Sequence, residues 1–386
     1  MTEDWQNGGF GIYVHWPFCK SKCPYCDFNS HVSDNVDQEA WLSAYLKELD
    51  RYSRLLPNRV VNSVFFGGGT PSLMEEHVVS GVIDAIAKNW TTANDLEITL
   101  EANPGSVEAS RFQGYRTAGV NRVSLGVQAL NNHDLKRLGR LHTVEEAHSA
   151  LDIAQNCFDR VSFDLIYARQ DQTTTNWEAE LSQALTMAAD HLSLYQLTIE
   201  DGTAFGDRFE RGLLKGLPED DISADMFQIT QDICASVGMA AYEISNHALV
   251  GSESRHNLIY WNYGDYIGIG PGAHGRVTVD GQKYETECHK NPNEWLDAVS
   301  SGDGESIFSS VSAADQATEY LLMGMRLTSG IDRQRFQRLA GHNIPDADLN
   351  QLSELGVIEF TENTIRATER GRPILNAILT EIATLD

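Results

Sequence analysis

"GIYVHWPFCKSKCPYC", residues 11–26, places an apolar stretch directly before three cysteines, Cys19, Cys23 and Cys26. The first six residues show little alternation between apolar and polar side chains, which is typical of strands in parallel sheets that are covered on both faces. The same succession of a buried strand and chemically unusual residues recurs along the first 200 residues. This recurrence predicts the fold.

Apolar runs with the length and composition of strands follow one another through this part of the chain. Helix-length segments with apolar residues at spacings of three and four separate them, for example at 37–56, 75–90 and 145–158. Alternation of strand and helix predicts an α/β fold with a parallel sheet. The further predicted strands are VNSVFF (61–66), LEITLEA (96–102), RVSLGV (122–127), RVSFDLIY (160–167) and HLSLYQLTI (191–199).

The ends of these strands distinguish between two α/β architectures. Each strand leads into unusual residues: the cysteine loop, GGGTPS, EANPG, GVQ, DLIY and TIEDGT. In a TIM-type barrel, functional groups gather on the rim at the carboxyl ends of the strands, whereas a doubly wound sheet places them at a switch point. We therefore expect a partial or complete TIM-type (β/α) barrel.

The second half of the chain is predicted to form two further regions. AAYEIS (240–245) resembles another strand, and a glycine-rich stretch follows from 263 to 275. From near residue 305, helices, a tight two-strand ribbon and a last helix predict a winged-helix-like module. The expected divisions are a core barrel at 1–240, a connecting region at 241–304 and a C-terminal domain at 305–386.

Composition narrows the function classes. The formal charge is −26, and residues from 301 onward contain 13 acidic residues, seven arginines and no lysine. We therefore expect no nucleic-acid partner, and a packing or lid role for the C-terminal module. No apolar run reaches the roughly 18 residues of a membrane span, and the N-terminus lacks the pattern of a secretory signal. These features predict a cytoplasmic protein without an integral membrane segment.

Six cysteines in a reducing compartment do not indicate a disulfide framework. Cys157 and Cys234 lie in apolar helical stretches, where cysteine usually acts as a small buried hydrophobe, and Cys288 receives no role. Cys19, Cys23 and Cys26 provide three thiolates, one fewer than a structural zinc site needs, unless a histidine such as His15 or His31 is the fourth ligand. An iron–sulfur cluster held by three cysteines would instead leave one iron open to a small molecule.

The Cys-x3-Cys-x2-Cys spacing, with Tyr25 before the last cysteine, resembles the signature of the radical SAM superfamily. The resemblance implies a [4Fe-4S] cluster bound by Cys19, Cys23 and Cys26, with S-adenosylmethionine (SAM) chelating the open iron. An electron donor protein would reduce the cluster, which then cleaves SAM to methionine and a 5′-deoxyadenosyl radical, so that the cofactor performs the difficult step.

The same resemblance implies which side chains surround SAM. The GGGTPS loop would bind its amino group, Glu101 its polar groups, Arg140 its carboxylate and Asp164 its ribose. The implied SAM-binding residues are Tyr13, Gly68, Gly69, Thr70, Glu101, Gln128, Arg140 and Asp164.

Further motifs narrow the resemblance to the coproporphyrinogen oxidase-like family. They include FFGGGTPS, GVNRVSLGVQ, SLYQLTIEDGT and SRHNLIYWNYGDYIGIGPGAHG, and they cover nearly the whole chain. One branch of this family is the oxygen-independent coproporphyrinogen III oxidase of porphyrin biosynthesis, which converts two propionates to vinyl groups. The other branch is a haem chaperone, which binds haem and delivers it to an acceptor protein.

Three features favour the chaperone branch. Phe28 occupies the position of a further cysteine in the oxidase, only 18 residues precede Cys19, and HNLIYW matches the HNxxYW pattern of the chaperones. We therefore expect no coproporphyrinogen dehydrogenase activity and assign no catalytic residue, although SAM cleavage remains an expectation. Oxidative decarboxylation is the alternative function.

The HNLIYW stretch, at residues 256–261, contains side chains of the types that bind haem. An imidazole can bind haem iron, and aromatic side chains can cover the porphyrin face. His274 and His142 are further candidate ligands, and Arg255 is a candidate for a propionate. The residues that the resemblance implies for haem are His256, Asn257, Tyr260 and Trp261. One departure from the family is the sequence Ala-Arg-Gln-Asp at 168–171, where Gly-Leu-Pro-Gly is usual.

Overall fold

The computed structural model describes residues 3–33, 35–188 and 190–383. The termini of the predicted first and last domains, at residues 1–2 and 384–386, lie outside these ranges. The strands are β1 (Phe10–Trp16), β2 (Phe18–Cys19), β3 (His31–Val32), β4 (Val60–Gly68), β5 (Thr91–Ala102), β6 (Arg122–Gln128), β7 (Arg160–Tyr167), β8 (His191–Gln196), β9 (Asn246–Ala248), β10 (Asp265–Ile269), β11 (His274–Val279), β12 (Gln282–Cys288), β13 (Glu305–Ser310), β14 (Ile331–Asp332), β15 (Ile358–Phe360) and β16 (Thr364–Ala367).

Helices connect most of these strands. They are α1 (Gln38–Leu55), α2 (Glu76–Asn89), α3 (Ala109–Ala118), α4 (Asn132–Arg137), α5 (Val144–Cys157), α6 (Thr174–Met187), α7 (Ala204–Glu210), α8 (Asp220–Ser236), α9 (Arg255–Trp261), α10 (Pro292–Ser301), α11 (Ala313–Gly324), α12 (Arg333–Ala340), α13 (Asp346–Glu354) and α14 (Leu375–Ala383).

The large sheet is an open, partial barrel. Its strand order is β13-β12-β11-β10-β1-β4-β5-β6-β7-β8-β9. Strands β10, β1 and β4 to β8 pair in parallel, while antiparallel strands extend both ends. In the described parts of the chain, the two end strands of this order do not pair with each other. The predicted α/β fold with a TIM-type partial barrel is confirmed, and all six predicted strands belong to it.

Two details of the strand prediction were wrong. AAYEIS (240–245) forms only an isolated bridge at Ala241, and the strand that pairs with β8 is β9. The strand predicted at 191–199 ends at Gln196. The sequence pattern also missed β10 to β13, because glycines interrupt this region and its strands are short or exposed.

A second core belongs to the C-terminal module. Helices α11 to α14 pack around the three-stranded sheet β14-β16-β15, and their apolar side chains form a cluster separate from that of the barrel. Tyr263, next to α9, also joins this second cluster. The order of helices and ribbon agrees with the expected winged-helix-like module. The domain limits at 240 and 304 stay a prediction.

Arg335, on α12, is a buried polar link between the module and the rest of the chain. Its guanidinium donates to both carboxylate oxygens of Asp4, at 2.9 and 2.7 Å, and to the backbone oxygens of Asn262 and Tyr263. Arg335 is 5% exposed. Five donors in a fixed fork suit this arrangement, so Arg335 joins the module both to Asp4 and to the chain that follows α9.

In the described ranges, no helix is both long and apolar enough to cross a membrane. Cys234 and Cys288 are buried and Cys157 is half-buried, as cysteines that act as small hydrophobes would be.

We predict that Arg335→Met destabilises the protein by about 3 kcal/mol, because it leaves a partly buried carboxylate and two carbonyl oxygens without their donor. The measurement is the free energy of unfolding from urea denaturation. Arg338→Met, an exposed change on the same helix, is the matched control and should lie within about 0.5 kcal/mol of the wild type. Equal stability of the two variants would contradict the assigned role of Arg335.

Candidate functional site

The cysteine loop, defined here as residues 17–31, is closed at its neck. Strands β2 and β3 pair Phe18 with His31 and Cys19 with Val32, and the His31 amide donates to the Pro17 oxygen at 2.7 Å. The loop therefore leaves the end of β1 and returns to the same place. This closure holds three cysteines at the carboxyl edge of the sheet.

The GGGTPS loop after β4 fixes the cysteine loop from one side. The Gly69 amide donates to the Trp16 oxygen at 2.7 Å, and the Thr70 amide donates to the Phe18 oxygen at 2.9 Å. A Cβ atom on Gly69 would lie 2.7 Å from the Phe18 oxygen and 3.0 Å from Cys19 Sγ. The second and third glycines of the motif thus meet a structural need, since Gly68 has a φ of 110°.

The three thiols are half-buried and have polar neighbours. The Thr70 hydroxyl donates to Cys19 Sγ at 3.4 Å, and Arg140 Nη1 donates to Cys23 Sγ at 3.5 Å. Burial raises the pKa of the Cys19 and Cys26 thiols. Thiols next to an arginine suit an anionic thiolate-bound group, so Cys19, Cys23 and Cys26 fit the cluster that the sequence implies.

A closed zinc site is less compatible with the geometry. Among the described residues, no three His, Cys, Asp or Glu side chains are arranged to hold a metal ion. Around one zinc ion all sulfur ligands would lie about 2.3 Å from the metal. Ligands of an iron–sulfur cluster bind different iron atoms and need not converge on one point.

Two predicted SAM-binding acids lie together inside the sheet. Glu101 Oε2 accepts from the Gly68 amide at 3.2 Å, and Asp164 Oδ1 accepts from the Ser124 hydroxyl at 3.3 Å. Burial, and then the Asp164 charge, raise the pKa of Glu101 to about 8. Burial also raises the pKa of Asp164 to about 6, with Ser193 and Arg122 acting in the opposite direction. Such a pair of carboxyls favours a cationic or hydroxyl-rich ligand.

Gln128 and Arg140 meet over Gly126. A Cβ atom on Gly126 would lie 2.9 Å from Gln128 Nε2 and 3.3 Å from Arg140 Nη2. Arg140 Nη2 already donates to the Gly126 oxygen at 2.7 Å, and Arg140 Nε has no hydrogen-bond partner among the described residues. Arg140 therefore joins the cysteine loop to the end of β6.

The HNLIYW stretch lies in helix α9, which packs against β1, β4 and β10. Its members face two different spaces. Tyr260 and Trp261 line a cleft of about 770 Å³ between the cysteine loop and the C-terminal module. His256 and Asn257 line an inner cavity of about 210 Å³, together with Asp164. Glu101, Tyr13 and Tyr260 border both spaces.

The cleft has an aromatic and imidazole-rich lining. Its volume lies in the range of about 300–1,000 Å³ that is usual for small-molecule and cofactor sites. One carboxylate of the lining, that of Glu319, is already paired, since Arg276 binds it at 2.8 Å. The side chains that matter for a ligand are Phe28, His31, Tyr266, His274 and Met323, with Lys22 and Lys290 also in the lining.

Asn29 connects the cysteine loop to the far side of the cleft. Its amide Nδ2 donates to the Pro271 oxygen at 2.8 Å and to the Lys290 oxygen at 2.9 Å. Its backbone oxygen lies 2.8 Å from His15 Nε2. No sequence pattern indicated a role for Asn29, because an asparagine near a motif is usually a turn residue.

Other candidate residues have structural partners. Arg255 binds Asp95 near the start of β5, and His142 Nε2 lies 3.1 Å from the Val127 oxygen. The segment 168–171, which differs from the family pattern, is held by ion pairs: Arg169 binds Asp134 at 2.8 Å and Glu180 at 2.6 Å. Arg122 lines the same cavity as Glu101 and Asp164. The sequence analysis missed it, because a single arginine in a strand forms no recognisable functional pattern.

Known proteins resemble this chain along nearly its whole length. The family model of the radical SAM superfamily matches residues 13–178, and that of the HemN C-terminal domain matches residues 311–374. The chain is 37% identical to "Heme chaperone HemW" of Escherichia coli (strain K12), over 95% of this chain and 96% of that protein. It is 36% identical to "Radical S-adenosyl methionine domain-containing protein 1, mitochondrial" of Bos taurus, over 95% of this chain and 86% of that protein.

A solved structure shares the fold. Coproporphyrinogen III oxidase (HemN) from Escherichia coli, which is described as a radical SAM enzyme, matches with a TM-score of 0.80. The match covers 98% of this chain and 92% of that one, at 21% sequence identity. This identity shows a common fold and carries no conclusion about substrate.

We predict that Glu101→Gln makes stability less dependent on pH. The unfolded carboxyl loses its proton near pH 4.5, whereas the folded one keeps it until about pH 8. Because the folded state binds the extra proton, stability of the wild type falls as the pH rises through this window. The variant should remove on the order of 1–2 kcal/mol of that fall, measured by urea denaturation across the window. Glu108→Gln, an exposed change, should reproduce the wild-type slope, and an unchanged slope in Glu101→Gln would contradict the prediction.

We predict that Asn29→Ala loosens both segments that its amide joins. Loss of two hydrogen bonds to backbone oxygens should destabilise the protein by about 1–3 kcal/mol. Hydrogen exchange should become faster in residues 19–31 and 270–274, while β5 and β6 keep their protection. Asn35→Ala, at an exposed position nearby, serves as the control. Unchanged exchange in the 270–274 segment would show that Asn29 does not hold it.

Proposed function

Since this chain belongs to the radical SAM superfamily and, within it, to the family of the heme chaperone HemW, we propose that it binds haem and transfers it to an acceptor protein. A [4Fe-4S] cluster on Cys19, Cys23 and Cys26, with SAM bound at the open iron, would assist or gate this transfer. The observation that carries the proposal is the cleft of about 770 Å³ next to the cysteine loop, into which the aromatic end of the HNLIYW stretch faces.

The shape and lining of the cleft support haem as the cargo. Tyr260, Trp261 and Tyr266 offer aromatic surface to a flat macrocycle. Tyr260 and Tyr266 already pack edge to face, with ring centroids 4.4 Å apart. Phe28, which is 57% exposed, extends this apolar surface from the cysteine loop. An exposed phenylalanine next to other aromatic side chains is typical of a binding site.

The cluster and SAM region adjoins this cleft. Gly68 and Glu101, two of the implied SAM-binding residues, belong to its lining. A ligand on the SAM side and a cargo on the HNLIYW side would therefore occupy neighbouring parts of one space. This arrangement supports a gating role for SAM in haem binding or release.

We predict that cluster-reconstituted protein binds about one haem per chain, since the described residues form this cleft of suitable size and lining. The measurement is an anaerobic haem titration followed by the Soret absorption. Trp261→Ala should weaken binding by about tenfold, because it removes a large aromatic surface from the cleft. Trp5→Ala, which changes a tryptophan that packs against Arg59 outside the cleft, is the matched control.

Two outcomes would contradict the proposed function. No haem binding by the reconstituted wild type would remove its basis. Loss of CO2 from coproporphyrinogen III in the presence of SAM and a reductant, detected by mass spectrometry, would indicate the oxidase instead. Transfer is tested separately with apomyoglobin as a haem acceptor, and the rate of transfer should change when SAM is added to the reduced protein.

A further inference from the structure

The HNLIYW stretch contains one histidine, but its imidazole has no free nitrogen. His256 Nδ1 lies 2.7 Å from Ser63 Oγ, and Nε2 lies 2.7 Å from Tyr260 Oη. The residue is 1% exposed. To coordinate an iron atom, His256 would have to break a hydrogen bond and leave another buried polar group unpaired, which is costly.

The position of His256 also separates it from the cleft. It lines the inner cavity, and Tyr260 stands between the two spaces because it borders both. The ring of Phe65 stacks on His256 at a centroid distance of 5.0 Å. These contacts fit a positioning residue that orients Tyr260 from behind.

Three other histidines line the cleft, and their hydrogen bonds distinguish them. His15 is 5% exposed and has partners at both nitrogens, Tyr13 Oη at 3.1 Å and the Asn29 oxygen at 2.8 Å. His31 Nε2 lies 3.3 Å from Asn29 Oδ1. His274 is exposed, and its imidazole makes no hydrogen bond to the described residues.

The backbone around His274 is firmly held, as a ligand position requires. His274 is the first residue of β11 and pairs with Glu287 of β12. The preceding loop is anchored where the Asn29 amide donates to the Pro271 oxygen, and the Gly272 amide donates to the His289 oxygen at 3.0 Å. An exposed imidazole on a fixed strand end is thus presented at the lining of an aromatic cleft.

The cleft lining carries two exposed lysines that can receive the carboxylates of a macrocycle, and one exposed acidic residue, Asp27. Lys22 and Lys290 are exposed in the cleft lining, and Lys290 has one ion pair, with Glu287 at 3.2 Å. The chain as a whole carries −26, so local lysines are needed to attract carboxylates. Arg276 is less available, because Glu319 accepts from both its Nε and Nη2.

We propose that His274, rather than His256, is the axial ligand to haem iron, with Tyr260 and Trp261 packed against the porphyrin and Lys22 and Lys290 next to its propionates. The inference rests on the proposed function and specifies its site. One nitrogen of the neutral imidazole donates its lone pair to the iron, and no other bond changes.

The test compares five variants of the reconstituted full-length protein: His274→Ala, His274→Gln, His256→Ala, His31→Ala and His289→Ala. Haem titration gives the affinity, and the Soret position with the electron paramagnetic resonance of the ferric complex reports the axial ligand. His274→Ala should shift the Soret band, change the ferric signal and weaken binding by about tenfold. Added imidazole should restore the wild-type spectrum in this variant.

The other variants make the assignment specific. His256→Ala should keep the ligand signal of the wild type while it weakens binding through loss of Tyr260 orientation. His289→Ala, which changes a neighbouring histidine outside the cleft lining, should match the wild type in both readouts. His274→Gln, with a far-UV circular dichroism spectrum, separates loss of the ligand from loss of folding.

The results also separate the two levels of the proposal. If the wild type binds no haem, the proposed function fails. If the wild type binds haem and His274→Ala retains its spectrum and affinity, the assignment of His274 is wrong. Loss of the ligand signal in His256→Ala or His31→Ala alone would place the iron on that histidine instead.

Discussion

The amide of Asn29 holds together two parts of the chain that are more than 240 residues apart in sequence. It donates to the oxygens of Pro271 and Lys290, while the Asn29 backbone oxygen lies next to His15. The cysteine loop, the end of β1 and the loop before β11 consequently form one wall. A hydrogen bond to a backbone oxygen does not depend on the identity of the acceptor residue, so this connection leaves the side chains of both loops available for ligands.

In the proposed function, this wall would link the cluster site to the haem cleft. Phe28 and His31 belong to the same closed loop as Cys19, Cys23 and Cys26, and both line the cleft. Any change in the loop that accompanies cluster assembly alters the surface of the cleft directly. Coupling of this kind requires only that the cluster-bound and cluster-free loops differ in their affinity for the cargo.

The sequence predicted the elements that depend on local patterns. Six parallel strands and the helices between them follow from apolar periodicity, and the carboxyl-end location of the special residues indicated a barrel. The sequence could not predict which side chains of the sheet pack against α9. The HNxxYW pattern singled out His256 and Tyr260, but only the packing of α9 against Ser63 of β4 shows that the imidazole is fully hydrogen-bonded. Asn29 and Arg122 were missed for the same reason, since their partners lie on distant segments.

His256 and His274 illustrate a general difficulty in the interpretation of motifs. A histidine in a recognisable pattern can act as a ligand or can hold the residues that contact the ligand, and both roles restrict the sequence. The decisive quantity is the number of free nitrogen lone pairs that face open space. In this fold, both ring nitrogens of His256 have a hydrogen-bond partner. The ring nitrogens of His274 make no hydrogen bond to the described residues. The aromatic half of the pattern and an exposed histidine from β11 are therefore brought to the same cleft by the pairing of β10 with β1 and of β11 with β10.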